Sequence, residues 1–428
     1  MSKINLKFLR ENQNFRKLSE SSLSMFVVQG LELLLPLLLL PYVIRIIGLE
    51  NFGRIAFAQA IVGYLIVVIN YGFHLTATRE IAINKDDLTS VHRILAEVSA
   101  TKFLLFIGCF ILLALGLVFF QTDKSEAAIF YAVFVSLSCN YLFPNFFFQG
   151  LHDLKKISIA AIIFKSLGVA MVFLLVRQKS DYLLYIIIPG IFSFFYLVYS
   201  YSFIFKKYKF NFKSFNITWF AIKMQLKTGF YVFLSQLKLN FFSNMNVLIA
   251  GLLLGDKAAG MFGSADKVIK ALSALQIPFL SALYPYFSNL VNNNKERAIE
   301  RIHKIAIFGS VLYLIPIAII FVFSTQIANI LFGSEGYLQI AVLLRIMGFI
   351  PSLLLLTNLF GTQFLLNLNK KKIFLQNMFI GAMLNTVLAY PLTAYFGLSG
   401  AAFSLLLAEI FVCFLMFYRA SQLNKHTN

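Results

Sequence analysis

Charge is the scarcest resource in this chain. Only 13% of its 428 residues are Asp, Glu, Lys or Arg, about half the share a soluble domain carries. Acids are scarcer still, 18 against 37 bases. Cysteine is nearly absent: Cys109, Cys139 and Cys413 stand in apolar stretches with no metal-ligand spacing, which excludes a disulfide framework and a zinc site. Five scattered histidines form no ligand cluster. No G-x-x-x-x-G-K-[ST] loop, H-E-x-x-H helix or Ser-centred elbow occurs, so ATP hydrolysis and the common hydrolytic chemistries have no residues to carry them. The chain is expected to be neither an enzyme nor a cofactor protein.

What the chain has in abundance is apolar length. Hydrophobic residues make up 59%, with 49 Phe alone, and run after run reaches the ~20 residues that cross a bilayer core. These runs predict an all-α polytopic membrane protein of about 12 spans: 22–47, 55–78, 94–120, 127–149, 157–176, 182–205, 228–254, 258–290, 304–324, 338–366, 374–394 and 400–420. The first 20 residues are polar and basic and do not read as a cleavable signal. Most of the Lys and Arg collect in alternate connections, among them Lys155–Lys156, Lys206 to Lys227, Lys295 to Lys304 and Lys370–Lys372. That asymmetry places both termini in the cytoplasm. It also assigns the net charge of +19 to the membrane surface and away from nucleic acid.

The chain also repeats itself. Gly48-Leu49-Glu50-Asn51-Phe52-Gly53, running on to Ala58, matches Gly255-Asp256-Lys257-Ala258-Ala259-Gly260, running on to Ala265. The first glycine of each copy is expected to take the left-handed conformation that ends a helix. The second lets the next helix start close against its neighbour. Val91-His92-Arg93-Ile94 is echoed by Ile302-His303-Lys304-Ile305, and Lys155-Lys156-Ile157 by Lys371-Lys372-Ile373. Parallel repeats of this kind are a transporter signature. They predict two pseudo-symmetric six-helix lobes, 1–206 and 228–428. A basic, aromatic linker at 207–227 (Phe210, Phe212, Phe215, Trp219, Phe220) would join them along the anionic inner leaflet.

A charge near the bilayer centre costs about 2.5–3.5 kcal/mol on insertion scales, so each one calls for a reason. The basic candidates are Lys102, Lys165, Lys238, Lys267, Lys270 and Arg345; the acidic ones are Glu32, Glu97, Asp266 and Glu409. Facing one aqueous cavity, this set would be cationic and suit an anionic substrate. Each also has a plainer reading. Asp266 and Lys270 can neutralise each other at i, i+4. Glu97, Lys102 and Arg345 can reach a headgroup region by snorkelling. Lys238, about 16 Å into its span at 1.5 Å per residue, is too deep for that, and Lys165 is similar. Lys267 stands where the first copy of the repeat has Ala60, so its charge belongs to one half only. Glu32 and Glu409 fit either ion pairing or proton coupling. Gln236, Asn240 and Asn244 share one face at i, i+4, either as interhelical glue or as a wall for sugar hydroxyls. Pro36, Pro41, Pro144, Pro278 and Pro285 interrupt helical hydrogen bonding, as static kinks or as bending points.

The stretch Pro36-Leu37-Leu38-Leu39-Leu40-Pro41-Tyr42, then Arg45-Ile46-Ile47-Gly48, Phe52-Gly53 and Arg79-Glu80-Ile81-Ala82, resembles the polysaccharide-transporter family, the Wzx-type flippases of lipid-linked oligosaccharide repeat units. The resemblance covers the whole chain, including Gly255-x4-Gly260 and Ala265-x-Lys267. It implies a fold like the multidrug and toxic compound extrusion (MATE) proteins and transfer of an undecaprenyl-pyrophosphate-linked glycan across the bacterial inner membrane. It further implies the polymerase and chain-length proteins of the same pathway as partners. One departure is that relatives carry an acid in span seven where this chain has Asn244 to Asn246. Lys238, Lys267, Lys165 and Lys102 would then hold phosphate as point charges. The competing readings are a cation-coupled drug exporter on the same fold, which would want acids in the cavity, and a membrane polymerase, which would want a large outer loop that this chain lacks.

Overall fold

The computed structural model describes residues 13–211, 217–241 and 244–425. They are helical throughout, with no strand among them. In chain order the helices begin with α1 (Gln13–Asn70), α2 (Phe73–Ile83), α3 (Leu88–Phe119), α4 (Lys124–Leu142), α5 (Asn145–Gly150), α6 (Lys155–Leu175), α7 (Tyr182–Tyr208) and α8 (Trp219–Phe241). Then follow α9 (Met245–Leu254), α10 (Asp256–Ala274), α11 (Ile277–Asn293), α12 (Lys295–Phe332), α13 (Tyr337–Met347), α14 (Ile350–Asn358), a π-helical segment (Leu359–Leu366) and α15 (Lys371–Lys425). Eight helical stretches among the described residues are long and apolar enough to cross a membrane, nine with the α10–α11 pair bent by 40°. Two of these stretches contain a kink, α1 at Gly48 and α15 at Gly397. The predicted spans lie mostly on helix among the described residues, with breaks inside several of them, as at 71–72, 143–144, 275–276 and 348–349.

Breaks come where the chain chemistry puts them. Pro144 ends α4 and starts α5, because proline lacks the N–H that would continue the ladder. Pro278 stands in the first turn of α11, just after the bend. Asp87 caps α3 by accepting from the Thr89 N–H at 3.0 Å, and Asn294 caps α12 through the Arg297 N–H at 2.9 Å. The stretch expected as a linker is shorter than predicted, since Thr218 Oγ1 accepts from the Ala221 N–H and α8 begins at Trp219. Residues 212–216 of that linker lie outside the described residues.

The chain forms two compact units, and they are not its two halves. One takes Ile61–Asn240 with the chain up to Pro36; the other takes Leu37–Ala60 with the chain from Phe241 on. In the first unit the core gathers Phe73, Phe146, Phe147, Phe148, Ile157 and Ile204. α8 packs into it through Phe233, whose ring lies 4.5 Å from that of Tyr71 and nearly parallel to it. In the second unit Phe287, Ile302, Leu359, Phe364 and Met416 form the core. The two histidines of the weaker repeat do equivalent work. His92 meets Phe210 edge-on at 5.3 Å, and His303 meets Phe360 edge-on at 5.4 Å. Both Lys-Lys-Ile copies open a helix, α6 and α15.

The glycine repeat explains why Leu37–Ala60 joins the second unit. A Cβ on Gly53 would overlap the backbone carbonyl of Asp256, and a Cβ on Gly260 would overlap that of Leu49. The two loops therefore cross at their second glycines with backbone against backbone, as the sequence predicts for that position. Their first glycines differ from expectation. Gly48 (φ 82°, ψ 161°) and Gly255 (φ 87°, ψ 176°) are not left-handed helical. They occupy the extended, positive-φ region that is open in practice to glycine alone. Each joins one helix directly to the next, Gly48 at a kink within α1 and Gly255 as the residue shared by the end of α9 and the start of α10. Arg54 braces the crossing, pairing with Glu50 at 3.0 Å and with Asp256 at 3.2 Å, and Lys257 pairs with Glu335 at 2.8 Å.

Candidate functional site

A cavity of about 530 Å³ opens within the first unit. Six helices supply polar lining: α1 gives Asn70, α2 His74, α3 Lys102, α4 Asn140, α5 Gln149 and α6 Lys165. Asn145 at the start of α5 adds another amide. Tyr141, Phe143, Phe146 and Tyr196 give it aromatic walls. No carboxylate appears among the lining residues. Ammonium groups, amides and aromatic faces are together suited to an anionic, hydroxyl-rich guest: the first for charge, the second for hydroxyls, the third for apolar ring faces.

Lys102 is the most confined of these groups. It is 3% exposed, so the snorkelling reading fails. Its Nζ donates to the Tyr141 carbonyl at 2.9 Å and lies 5.2 Å from the centre of the Phe146 ring. The carbonyl is available because α4 ends at Leu142, leaving its last carbonyls without helical partners. Lys165 lines the same cavity, half-buried, from the middle of α6. Glu97 is held on α3 by the Gln225 amide, which donates to it at 3.0 Å.

The other predicted residues go elsewhere. Lys267 belongs to the second unit, where its Nζ stands 4.6 Å over the Phe52 ring. Asp266 and Lys270 pair at 2.6 Å, the neutralising arrangement their spacing allowed. Arg345 donates to the hydroxyls of Ser324 (2.6 Å) and Thr325 (3.3 Å). Glu409 stands half-buried on α15 beside Cys413. The side chains of Glu32, Lys238 and Asn240 lie outside the described residues. Of the Gln236–Asn240–Asn244 stripe, Gln236 lies on α8 and Asn244 stands at the N-terminus of α9; residues 242–243 between them lie outside the described residues.

Asn246 has become a structural hub in the second unit. Its Nδ2 donates to the Ala401 carbonyl (2.6 Å) and Ser404 Oγ (2.8 Å), and its Oδ1 accepts from Asn385 Nδ2 (2.7 Å). An amide does this because it donates and accepts at once; a carboxylate could only accept. Sequence reasoning missed His74 and the amides Asn70, Asn140, Asn145 and Gln149 as cavity residues. The only signal they offered was the i, i+4 spacing of Asn70 and His74 across the Gly72 break.

Comparison with known proteins follows the same line. Residues 18–291 match the family model described as polysaccharide biosynthesis protein. The chain belongs to that family. A protein named for O-antigen transport in Escherichia coli strain K12 is 30% identical over 96% of this chain and 99% of its own. A Haloferax volcanii protein named as a flippase of low-salt glycan biosynthesis is 29% identical over 38% of this chain and 34% of its own. Among solved structures, an inward-facing multidrug-resistance transporter of the MATE family aligns with a TM-score of 0.71 at 15% identity, covering 92% of this chain and 99% of that one. The family member described here therefore has the MATE-like all-α membrane fold that its sequence led one to expect.

Proposed function

We propose that the protein is a flippase. It carries an undecaprenyl-pyrophosphate-linked oligosaccharide from the cytoplasmic to the outer leaflet of the bacterial inner membrane, by alternating access, for surface polysaccharide assembly. The observation that carries this reading is the cavity of the first unit, where Lys102 and Lys165 stand among amides and aromatic rings with no acid in the lining. A pyrophosphate-linked glycan needs fixed positive charge for the phosphates and hydrogen-bonding groups for the sugars, while its isoprenoid tail stays in lipid. The name of the Escherichia coli relative supports the substrate class. Both termini lie in the cytoplasm on the distribution of Lys and Arg. The polymerase and chain-length proteins of the same assembly line are the partners such a carrier would serve. A cation-coupled drug exporter would need acids where this cavity has lysines.

Complementation of a bacterium lacking its own repeat-unit flippase, with the matching sugar pathway supplied, tests the proposal. Surface glycan is the readout, corrected for membrane level. Wild type should restore it. Lys102→Gln and Lys165→Gln should each lower it by about tenfold or more, the equivalent of ~1.4 kcal/mol in binding. Failure of wild type with its native pathway present would overturn the flippase reading. Full activity of both variants would remove the cavity from it.

A further inference from the structure

His74 is the one ionisable group of the cavity that no part of the flippase reading uses. It stands in the first turn of α2, just after Gly72, whose left-handed backbone (φ 81°) starts that helix. Its Nδ1 faces the Asn70 amide nitrogen at 3.4 Å. With the ring proton on Nε2, Nδ1 accepts from that amide. Lys102 lines the same cavity. The titratable groups that share the cavity with it are Lys102 from α3, Tyr141 from α4, Lys165 from α6 and Tyr196 from α7, with no carboxylate from any element. The amino end of α2 adds its own partial positive charge.

An imidazolium in the empty cavity would be a third positive charge beside two ammonium groups and a helix N-terminus. An anion placed among them reverses that balance, because the extra charge then faces a counter-ion in a medium of low dielectric. We propose that His74 couples one proton to anion occupancy of this cavity. When a group of the phosphate class enters, a solvent proton binds Nδ1, and the Asn70 amide turns to accept from it through Oδ1. When the anion leaves, the proton returns to solvent. Anion and proton thus enter and leave together. This rests on the anion-binding reading of the cavity given above.

Calorimetry on the purified full-length protein tests it, with inorganic pyrophosphate as the probe. Titrations near neutral pH in two buffers of different ionisation enthalpy count the protons taken up on binding. Wild type should take up more protons per pyrophosphate than His74→Asn or His74→Gln, the difference approaching one. The titration of free pyrophosphate is common to all three proteins and cancels. Because the bound state holds the extra proton, wild-type affinity should fall relative to the variants as pH rises, by up to about tenfold per unit. Equal proton uptake in wild type and both folded variants overturns the inference. So does unchanged binding by Lys102→Gln, which would seat the anion elsewhere, and so does absence of pyrophosphate binding by folded wild type. Restoration of surface glycan without His74-dependent uptake would sink this coupling and leave the flippase reading standing.

Discussion

The two units differ in where their candidate polar groups gather. In the second unit nearly every candidate charge or amide has a partner inside the protein: Asp266 has Lys270, Arg54 has Glu50 and Asp256, Arg345 has two hydroxyls, and Asn246 has Asn385, Ser404 and a carbonyl. In the first unit Lys102, Lys165, His74 and several amides line a cavity, with Lys102 bonded to the Tyr141 carbonyl and His74 beside Asn70. Buried polar groups are costly unless hydrogen-bonded, and both units meet that cost with internal partners. A lining whose charges all have one sign also suits a guest that brings the other sign. The contrast separates polar residues that hold the fold from polar residues held ready by it.

Substitutions can break or sharpen that contrast. The largest structural effect should come from the glycine crossing. Gly53→Ala and Gly260→Ala each push a methyl into backbone that cannot yield as a side chain would, and the expected loss is about 3 kcal/mol or more. Gly108→Ala on α3, where a Cβ meets nothing within 4 Å, is the matched control. Thermal unfolding in detergent should show a lowered midpoint for the first two and none for the third; a stable Gly53→Ala protein would contradict the crossing. Next comes Asn246→Ala, which removes bonds to three buried partners and should cost about 1–3 kcal/mol. Asn140→Ala at the cavity should leave the unfolding midpoint nearly unmoved while lowering glycan export. Equal destabilisation by the two would erase the distinction between the units. The smallest effect is expected from Lys270→Ala. Its half-exposed ammonium should contribute about 1 kcal/mol or less, and export should remain near wild type, in contrast to Lys102→Gln. A loss of export at normal membrane levels would move Lys270 into the substrate path.

Much of the fold was legible because bilayer chemistry leaves a strong signature. Apolar length marked the helices, and the glycine spacing marked a close backbone approach that the Gly53–Asp256 and Gly260–Leu49 contacts supply. What the linear order concealed was partnership. Nothing in residues 37–60 announces that they pack with the second unit, because the contact is made by glycines, whose message is absence of a side chain. The site was half legible. Lys102 and Lys165 stood out because charge in an apolar run is conspicuous; His74, Asn140 and Gln149 are unremarkable in their own segments and acquire meaning only when their helices converge. Lys267 was singled out by its asymmetry between the two repeats, and Phe52 gives that asymmetry a local, aromatic partner.

The crossing of the two loops has an evolutionary side. In the alignment of the copies Gly53 corresponds to Gly260 and Leu49 to Asp256, so the contact of Gly53 with Asp256 and that of Gly260 with Leu49 are the same contact made twice. Ala56 and Gly263, also equivalent, face each other at the same place. Such reciprocity is what two identical chains make across a twofold axis. At these few positions a side chain added to either copy would meet the backbone of the other, whereas Lys267 stands where the first copy has Ala60 and makes no such reciprocal pair.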